Sequence, residues 1–476
     1  MKARPMLRAI VIVGVLLGSL ALAPAARSSP PDDLPTGRRT LTGELGGAAY
    51  RVELPERWNG TLVLYSHGYF PEGFPSFGIA VANRPETEAW LLDHGYALAA
   101  SDFLGRTGYQ VEQGQRDQIA LLDWFGANVG RPRRTISYGM SMGASIAVRL
   151  GERHPDRFAG VATICGVHDS VGNFNAILDM NVAVKELLAG GDPAIELVRP
   201  TDAEAGVALL ARAVERALTT PDGLARLALV ASLNNVSGWY SPHVPRPEDR
   251  AEWIRNQAQW VLNAYVLSLG PTGRVDLERR AGGNPSSNEG VDYRQQVLRS
   301  SQREVVVAAY RDAGIDLRAD LDRLNASPRI SADPGAADWL REQVADGTTP
   351  QPTISLHTTG DGGASVDQER WYADTVRRHG DLRDLRQLWV ERGAHCSTNA
   401  AEEITMLRTL FDRIDTGRWP STGPRRLTAA AEQLGDAYTL VMDFGRFDPV
   451  TGLPYEQPMP PGFTRFHPPR PLRPTR

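Results

Sequence analysis

The sequence predicts an α/β protein, a mostly parallel sheet with helices on both faces and a large helical insertion. Three observations predict it. Short apolar runs alternate with helical segments between Thr61 and Cys165, the pattern of parallel strands joined by crossover helices. The alternation stops near Asp169, and residues 171–346 are mostly helix-patterned. Strand, helix and strand then resume at Thr353–His357, Asp367–His379 and Leu385–Glu391, and Asn399–Asp415 makes a last helix.

Each element has its own signal. Tyr50–Leu54 alternates polar and apolar residues as a strand does. Thr61–Tyr65 is a continuous apolar run that breaks into Ser66-His67-Gly68, which predicts a buried strand entering a loop. Glu86–His94 reads as a helix stopped by Gly95, and Tyr96–Ser101 as the next buried strand. Gln115–Asn128 places Ile119, Leu122 and Phe125 on one helical face. Thr135–Tyr138 is a short strand running into Gly139, Ala144–Glu152 is helical, and Val161–Cys165 is a strand. Within the insertion, Ala176–Ala189, Asp202–Leu218, Gly223–Leu233 and Pro247–Leu269 read as helices. Residues 27–40 form a polar, proline-rich leader, and the proline-rich extension 419–476 is expected to lie along the surface or to be partly disordered.

Composition bounds the function. The 476 residues are 42% hydrophobic and 23% charged, which is globular and excludes collagen-like or wholly disordered chains. A net charge of −4 offers no basic face for nucleic acid. Two cysteines, Cys165 and Cys396, exclude a disulfide-dense scaffold and a four-thiolate metal site. No metal, nucleotide or other cofactor motif stands in the required context. At the N-terminus, Lys2, Arg4 and Arg8 precede an apolar run from Ala9 to Ala23, and small residues follow at Ala25 and Ala26. This is the pattern of a secretory signal peptide over residues 1–26, and the run is short for a membrane span. Its removal takes three positive charges from a net −4 and leaves −7. An exported chain could oxidise its two cysteines.

The chemistry centres on Gly139-Met140-Ser141-Met142-Gly143, a G-x-S-x-G between a strand and a helix. A sharp turn there lifts the Ser141 hydroxyl clear of the sheet edge. Side chains at Gly139 or Gly143 would collide with the adjacent strand or helix. The following helix aims its positive end at the reaction centre.

With these motifs, residues 27–170 and 347–418 resemble the two parts of an α/β-hydrolase core, of the secreted serine esterase and peptidase type. The resemblance implies a triad in the order serine, acid, histidine, with Ser141 as nucleophile. His395, in Arg392-Gly-Ala-His395-Cys-Ser after the last strand, best fits the base. His67, His357 at a strand end and His379 at a surface helix are worse placed. Asp361, in the loop His357-Thr-Thr-Gly-Asp361-Gly-Gly, best fits the acid. Asp169 after the Val161–Cys165 strand is an alternative, and Asp367 reads as a helix N-cap. The oxyanion hole is expected from the N–H groups of Met142 and Tyr69, with Gly68 as second choice for the latter. Cys396 directly follows the base, as in the tannase and feruloyl esterase group, so a disulfide with Cys165 would tether the histidine loop. In that group the partner cysteine precedes the serine, where this chain has Met140, so two buried thiols stay open as the alternative.

The same resemblance makes residues 171–346 a helical cap over Ser141. Trp239, Tyr240, Trp253, Trp260 and Tyr265 lie in it, with Trp253, Gln257 and Trp260 on one helical face. They either wall a pocket for an aryl acyl group or fill the cap's own core. Glu289 is a weak candidate for an amine site, and Asn235-Val-Ser237 matches a glycosylation sequon. The expected function is a secreted serine hydrolase acting on small carboxylic esters through an acyl-enzyme. Alternatives are an exopeptidase of the prolyl-peptidase type, an acyltransferase and a non-catalytic binding protein.

Overall fold

The chain is described by a computed structural model covering residues 37–74, 76–447 and 454–475. The expected signal peptide, 1–26, and most of the leader lie outside these residues. Eight strands build the body: β1 (Arg39–Leu45), β2 (Ala48–Leu54), β3 (Thr61–Ser66), β4 (Ala97–Ser101), β5 (Arg134–Met140), β6 (Gly160–Ile164), β7 (Thr353–Gly360) and β8 (Leu385–Gly393). Their order is β1-β2-β4-β3-β5-β6-β7-β8. Only β2 runs against its neighbours, and every pairing from β4 to β8 is parallel. This is the α/β-hydrolase fold. β1 starts inside the expected leader, and a hairpin through Gly46 and Gly47, both at positive φ, joins it to β2.

The central strands β3, β4 and β6 are buried on both faces, so they read as continuous apolar runs. Leu62 and Leu64 face α2 (Val111–Asn128) and α3 (Met142–Arg153), while Val63 and Tyr65 face the side of α1 (Pro85–Asp93). Between β6 and β7 run α4 (Ser170–Ala183), α5 (Ala203–Ala217), α6 (Pro221–Ser232), α7 (Arg250–Trp260), α8 (Pro271–Ala281), α9 (Tyr293–Arg299), α10 (Arg303–Ala313), α11 (Leu317–Ala326) and α12 (Pro334–Arg341). α4 and α7 each continue into a π-helical stretch, Val184–Leu188 and Val261–Ser268. α13 (Asp367–His379) bridges β7 and β8, and α14 (Ala400–Thr416) follows with a capping box of Asn399 and Glu402.

The C-terminal extension is more ordered than its prolines suggest. α15 (Pro424–Glu432), the hairpin of β9 (Leu440–Phe447) with β10 (Pro454–Pro458), and β11 (Phe463–Thr464) all belong to it. β11 adds to the free edge of β8, where few ladder donors are required and prolines nearby are tolerated. The last residues reach α4. Thr475 N–H and Oγ1 donate to the Asp169 carboxylate, and Arg473 pairs with Asp179. No helix among the described residues is long and apolar enough to cross a membrane.

Candidate functional site

The turn from β5 to α3 holds Ser141 at φ 55° and ψ −121°, strained for a residue with a Cβ. Its two flanking glycines are required by space. A Cβ on Gly139 would stand 2.0 Å from the Gly143 carbonyl oxygen, and one on Gly143 would stand 2.0 Å from that of Ser66. The Ser141 N–H is fixed by the carbonyl of Ile164 at 2.9 Å.

Three loops from three strand ends bring Ser141, His395 and Asp361 together. His395 Nε2 lies 2.9 Å from Ser141 Oγ, and Nδ1 lies 2.8 Å from Asp361 Oδ2. Asp361 is buried, and its Oδ1 accepts the N–H groups of Gly363 and Ala364 at 2.8 and 2.9 Å. The buried acid is held well below the usual carboxylate range. Burial opposes this, but the charges and hydrogen bonds of His395 and His357 outweigh it. Gly363 is a glycine for contact, since its Cβ would be 2.9 Å from His395 Cγ. Sequence reasoning missed it, although the Gly-Gly after Asp361 was its signal.

The histidine loop is braced from several sides. Ala394 N–H donates to the carbonyl of Trp239 in the insertion, and Thr358 Oγ1 donates to the carbonyl of Ala394. Cys165 and Cys396 form a disulfide with a Cα–Cα distance of 5.3 Å. Cys396 Sγ is 3.4 Å from His395 Nε2. Cys165, His395 and Cys396 bring their donor atoms within 4.8 Å of one another. A metal would need thiolates there, and both sulfurs are bonded to each other.

The remaining candidates fall as follows. Gly68 lies against Ser141, because a Cβ on it would be 3.3 Å from Ser141 Cβ. The Met142 N–H opens α3 and so lacks an intrahelical acceptor, and Tyr69 lines the same cavity as Met142. His67 is buried, stacked on Phe103 and Phe70, and pushed down to about 4 by burial. Asp169 does not reach His395. It caps α4 through Gly172 N–H at 2.8 Å. Asp367 is not the N-cap of α13, which is Val366. Instead Asp367 is the first helical residue, and its buried carboxylate accepts from Asn235 Nδ2 at 2.8 Å. That contact also buries the sequon asparagine. His357 lies within β7 rather than at a strand end, and is fully buried. Glu289 is exposed and bound by Ser331.

A cavity of about 210 Å³ opens on Ser141 and His395. Tyr69, Tyr109, Met142, Phe174, Trp260 and Leu269 make its apolar wall. Of the five insertion aromatics singled out above, Trp260 lines it. The π-helical stretch after α7 adds Ala264 and Ser268 at four-residue steps. Trp239 and Tyr265 hold the insertion to the body: Trp239 packs on Gly360 and Gly393, and Tyr265 OH donates to the carbonyl of Gly362 at 2.7 Å. Tyr240 packs on Trp260 with ring centroids 4.7 Å apart, and Trp253 Nε1 donates to Gln302. Asn173, 9% exposed, lines the cavity, and its side-chain amide has no partner among the described residues. No carboxylate, lysine or arginine is among the described lining residues.

No family model matches the chain. The o-phthalyl amidase of Xanthobacter agilis is similar to it, 28% identical over 432 residues, covering 82% of this chain and 91% of that protein. Among solved structures, a serine hydrolase from Cycloclasticus zankles is 13% identical with a TM-score of 0.32, covering 80% of this chain and 99% of that one. A thermostable carboxyl esterase from Bacillus coagulans is 12% identical with a TM-score of 0.34, covering 80% and 97%. The fold assignment stands on the strand order of the sheet itself.

Proposed function

We propose that this chain of the α/β-hydrolase fold is an exported serine hydrolase that cleaves carboxylic esters of small aryl acids through an acyl-enzyme. Ser141 Oγ attacks the carbonyl carbon while His395 Nε2 takes its proton. Asp361 holds the imidazole tautomer and balances the imidazolium. The N–H groups of Met142 and Tyr69 receive the oxyanion. His395 then returns the proton to the leaving alcohol, and water repeats the sequence to free the acid. The observation that carries this reading is the hydrogen-bonded series Ser141–His395–Asp361, at 2.9 and 2.8 Å.

The pocket supports the substrate class. An apolar cavity of about 150 Å³ accommodates benzene, so about 210 Å³ fits one substituted ring. Asn173 offers that ring a neutral hydrogen-bonding partner. The described lining residues include no carboxylate to hold a substrate ammonium, which disfavours the exopeptidase reading. An amide substrate is the second reading, favoured by the similarity to a protein named as an o-phthalyl amidase. The pairing of Cys165 with Cys396 and the basic-then-apolar segment at 1–26 support export, residues 171–346 acting as the cap. The test is hydrolysis of p-nitrophenyl benzoates, acyl anilides and prolyl anilides by the wild-type and Ser141→Ala chains. Benzoate turnover that falls by about 10⁴-fold or more in the variant is expected. Turnover of prolyl anilides above that of benzoates would overturn the substrate class.

A further inference from the structure

A second histidine uses the same carboxylate oxygen of Asp361 as His395 does. His357 Nε2 lies 3.3 Å from Asp361 Oδ2, and Nδ1 lies 3.3 Å from Glu369 Oε1. Both carboxylates and the ring are fully buried. Glu369 Oε2 also accepts from Ser355 Oγ at 2.7 Å and Gln387 Nε2 at 2.6 Å. The other ionisable groups facing the ring are His395 across Asp361, His168 across Glu369 with Nε2 3.7 Å from Oε1, and Asp367 on the helix that carries Glu369. Among the described residues, no arginine or lysine pairs with either carboxylate.

The ring's surroundings fix its protonation. Asp361 Oδ2 and the Ala364 carbonyl face Nε2, and Glu369 Oε1 faces Nδ1. All are acceptors. A neutral imidazole has one N–H, so one nitrogen lone pair would point at a carboxylate. Only the doubly protonated ring donates on both sides. It also supplies the cation that two desolvated anions require. The balance of effects agrees: burial would lower the pKa of His357, yet the hydrogen bonds and charges of Asp361 and Glu369 raise it to about 10.

We propose that His357 is a positioning residue, a standing imidazolium that fixes Asp361 Oδ2 toward His395 and tempers how strongly that oxygen raises the basicity of His395. This rests on the role proposed for the Ser141–His395–Asp361 series. With Oδ1 held by two N–H groups and Oδ2 shared by two rings, the acceptor sites of Asp361 are filled. The shared oxygen gives His395 less charge than an unshared one would. A conserved-shape amide in place of the cation should shift that balance toward a more basic His395.

The experiment is the pH profile of kcat/KM for a p-nitrophenyl benzoate in the full chain and in His357→Gln. The acidic limb should move up by about one pH unit, with the plateau reduced less than about tenfold. A limb that stays in place, in a variant that folds, overturns the proposal and assigns His357 a packing role only. Wild-type protein provides the second arm, independent of how the variant folds. Its long-range ¹H–¹⁵N spectrum of nine histidines should keep one ring with both protons at about pH 8.5, well above the ordinary histidine range. No doubly protonated ring there overturns the proposal as well. Ser141→Ala with full turnover would instead remove the underlying reading, so the two failures are distinguishable.

Discussion

Replacing Arg473 with methionine should loosen the grip of the C-terminus on the insertion. Asp179, on α4, has no exposed side-chain surface, and Arg473 is 15% exposed. The carboxylate also accepts from Tyr293 OH at 3.1 Å and Gln296 Nε2 at 3.0 Å, but both of these donors are neutral. Arg473 further donates to the carbonyl of Ser287 at 2.7 Å. Removing one partner of a buried ion pair costs about 3–5 kcal/mol. An unfolding entropy of about 2.1 cal/mol/K per residue gives roughly 1.0 kcal/mol/K for this chain, so the midpoint should fall by about 3–5 °C. The pH dependence has a definite sign. Burial already raises the Asp179 carboxyl, opposed chiefly by Arg473. Without that cation the raised folded pKa rises further, so the anion destabilises the variant above it and the penalty fades as protonation sets in. Thermal melts at about pH 7.5 and pH 5 should therefore differ, with the larger loss at the higher pH. Adding Asp179→Asn should recover most of the loss. A midpoint unchanged at pH 7.5, or a loss equal in the double variant, would show that Arg473 does not stabilise the buried Asp179 anion.

Three further outcomes follow from the same contacts. Burial pushes the Glu403 carboxyl from 4.5 up to about 7, against hydrogen bonds from Asn83, Thr398 and Thr87. A raised folded pKa means stability lost as pH rises through that window, so Glu403→Gln should flatten the wild-type decline in melting temperature between pH 4.5 and 7. Asn173→Leu should leave unsubstituted benzoate turnover near wild type. It should lower turnover of a hydroxybenzoate relative to benzoate by about five- to tenfold, the worth of one neutral hydrogen bond; an unchanged ratio would show that the ring does not meet Asn173. Cys165→Ser with Cys396→Ser opens a link across 231 residues and should cost about 2–5 kcal/mol of stability, read as a lower melting temperature that reductant no longer changes.

The body was legible because its signals are local. A strand buried on both faces is a continuous apolar run, and the turn at Ser141 demands glycine on both sides, since a Cβ on either would meet backbone at 2.0 Å. The hairpin joining β1 and β2 was missed although Gly46-Gly47 marked it, because Arg39–Leu45 is mostly exposed and carries little apolar pattern. Asp367 was misread by one position, a common margin at helix ends, and its true partner, Asn235, is 132 residues away. The prolines of the extension 419–476 predict only that it lies along the surface or is partly disordered, because its anchors are carboxylates on and beside α4 that no local pattern announces. His357 was hidden for a similar reason. Its meaning comes from Glu369, which α13 turns back onto β7. The pocket wall is assembled from the body loops and the insertion, so Asn173 carries no signal in its own segment.

In the proposed mechanism Ser141 Oγ is the nucleophile in a covalent step driven by His395. Intact-mass analysis after exposure to a fluorophosphonate tests it most directly. One adduct per chain is expected, mapped to Ser141, absent in Ser141→Ala and slowed by at least about a thousandfold in His395→Ala. An adduct that persists in Ser141→Ala, or labelling of wild type and His395→Ala at equal rates, would contradict it.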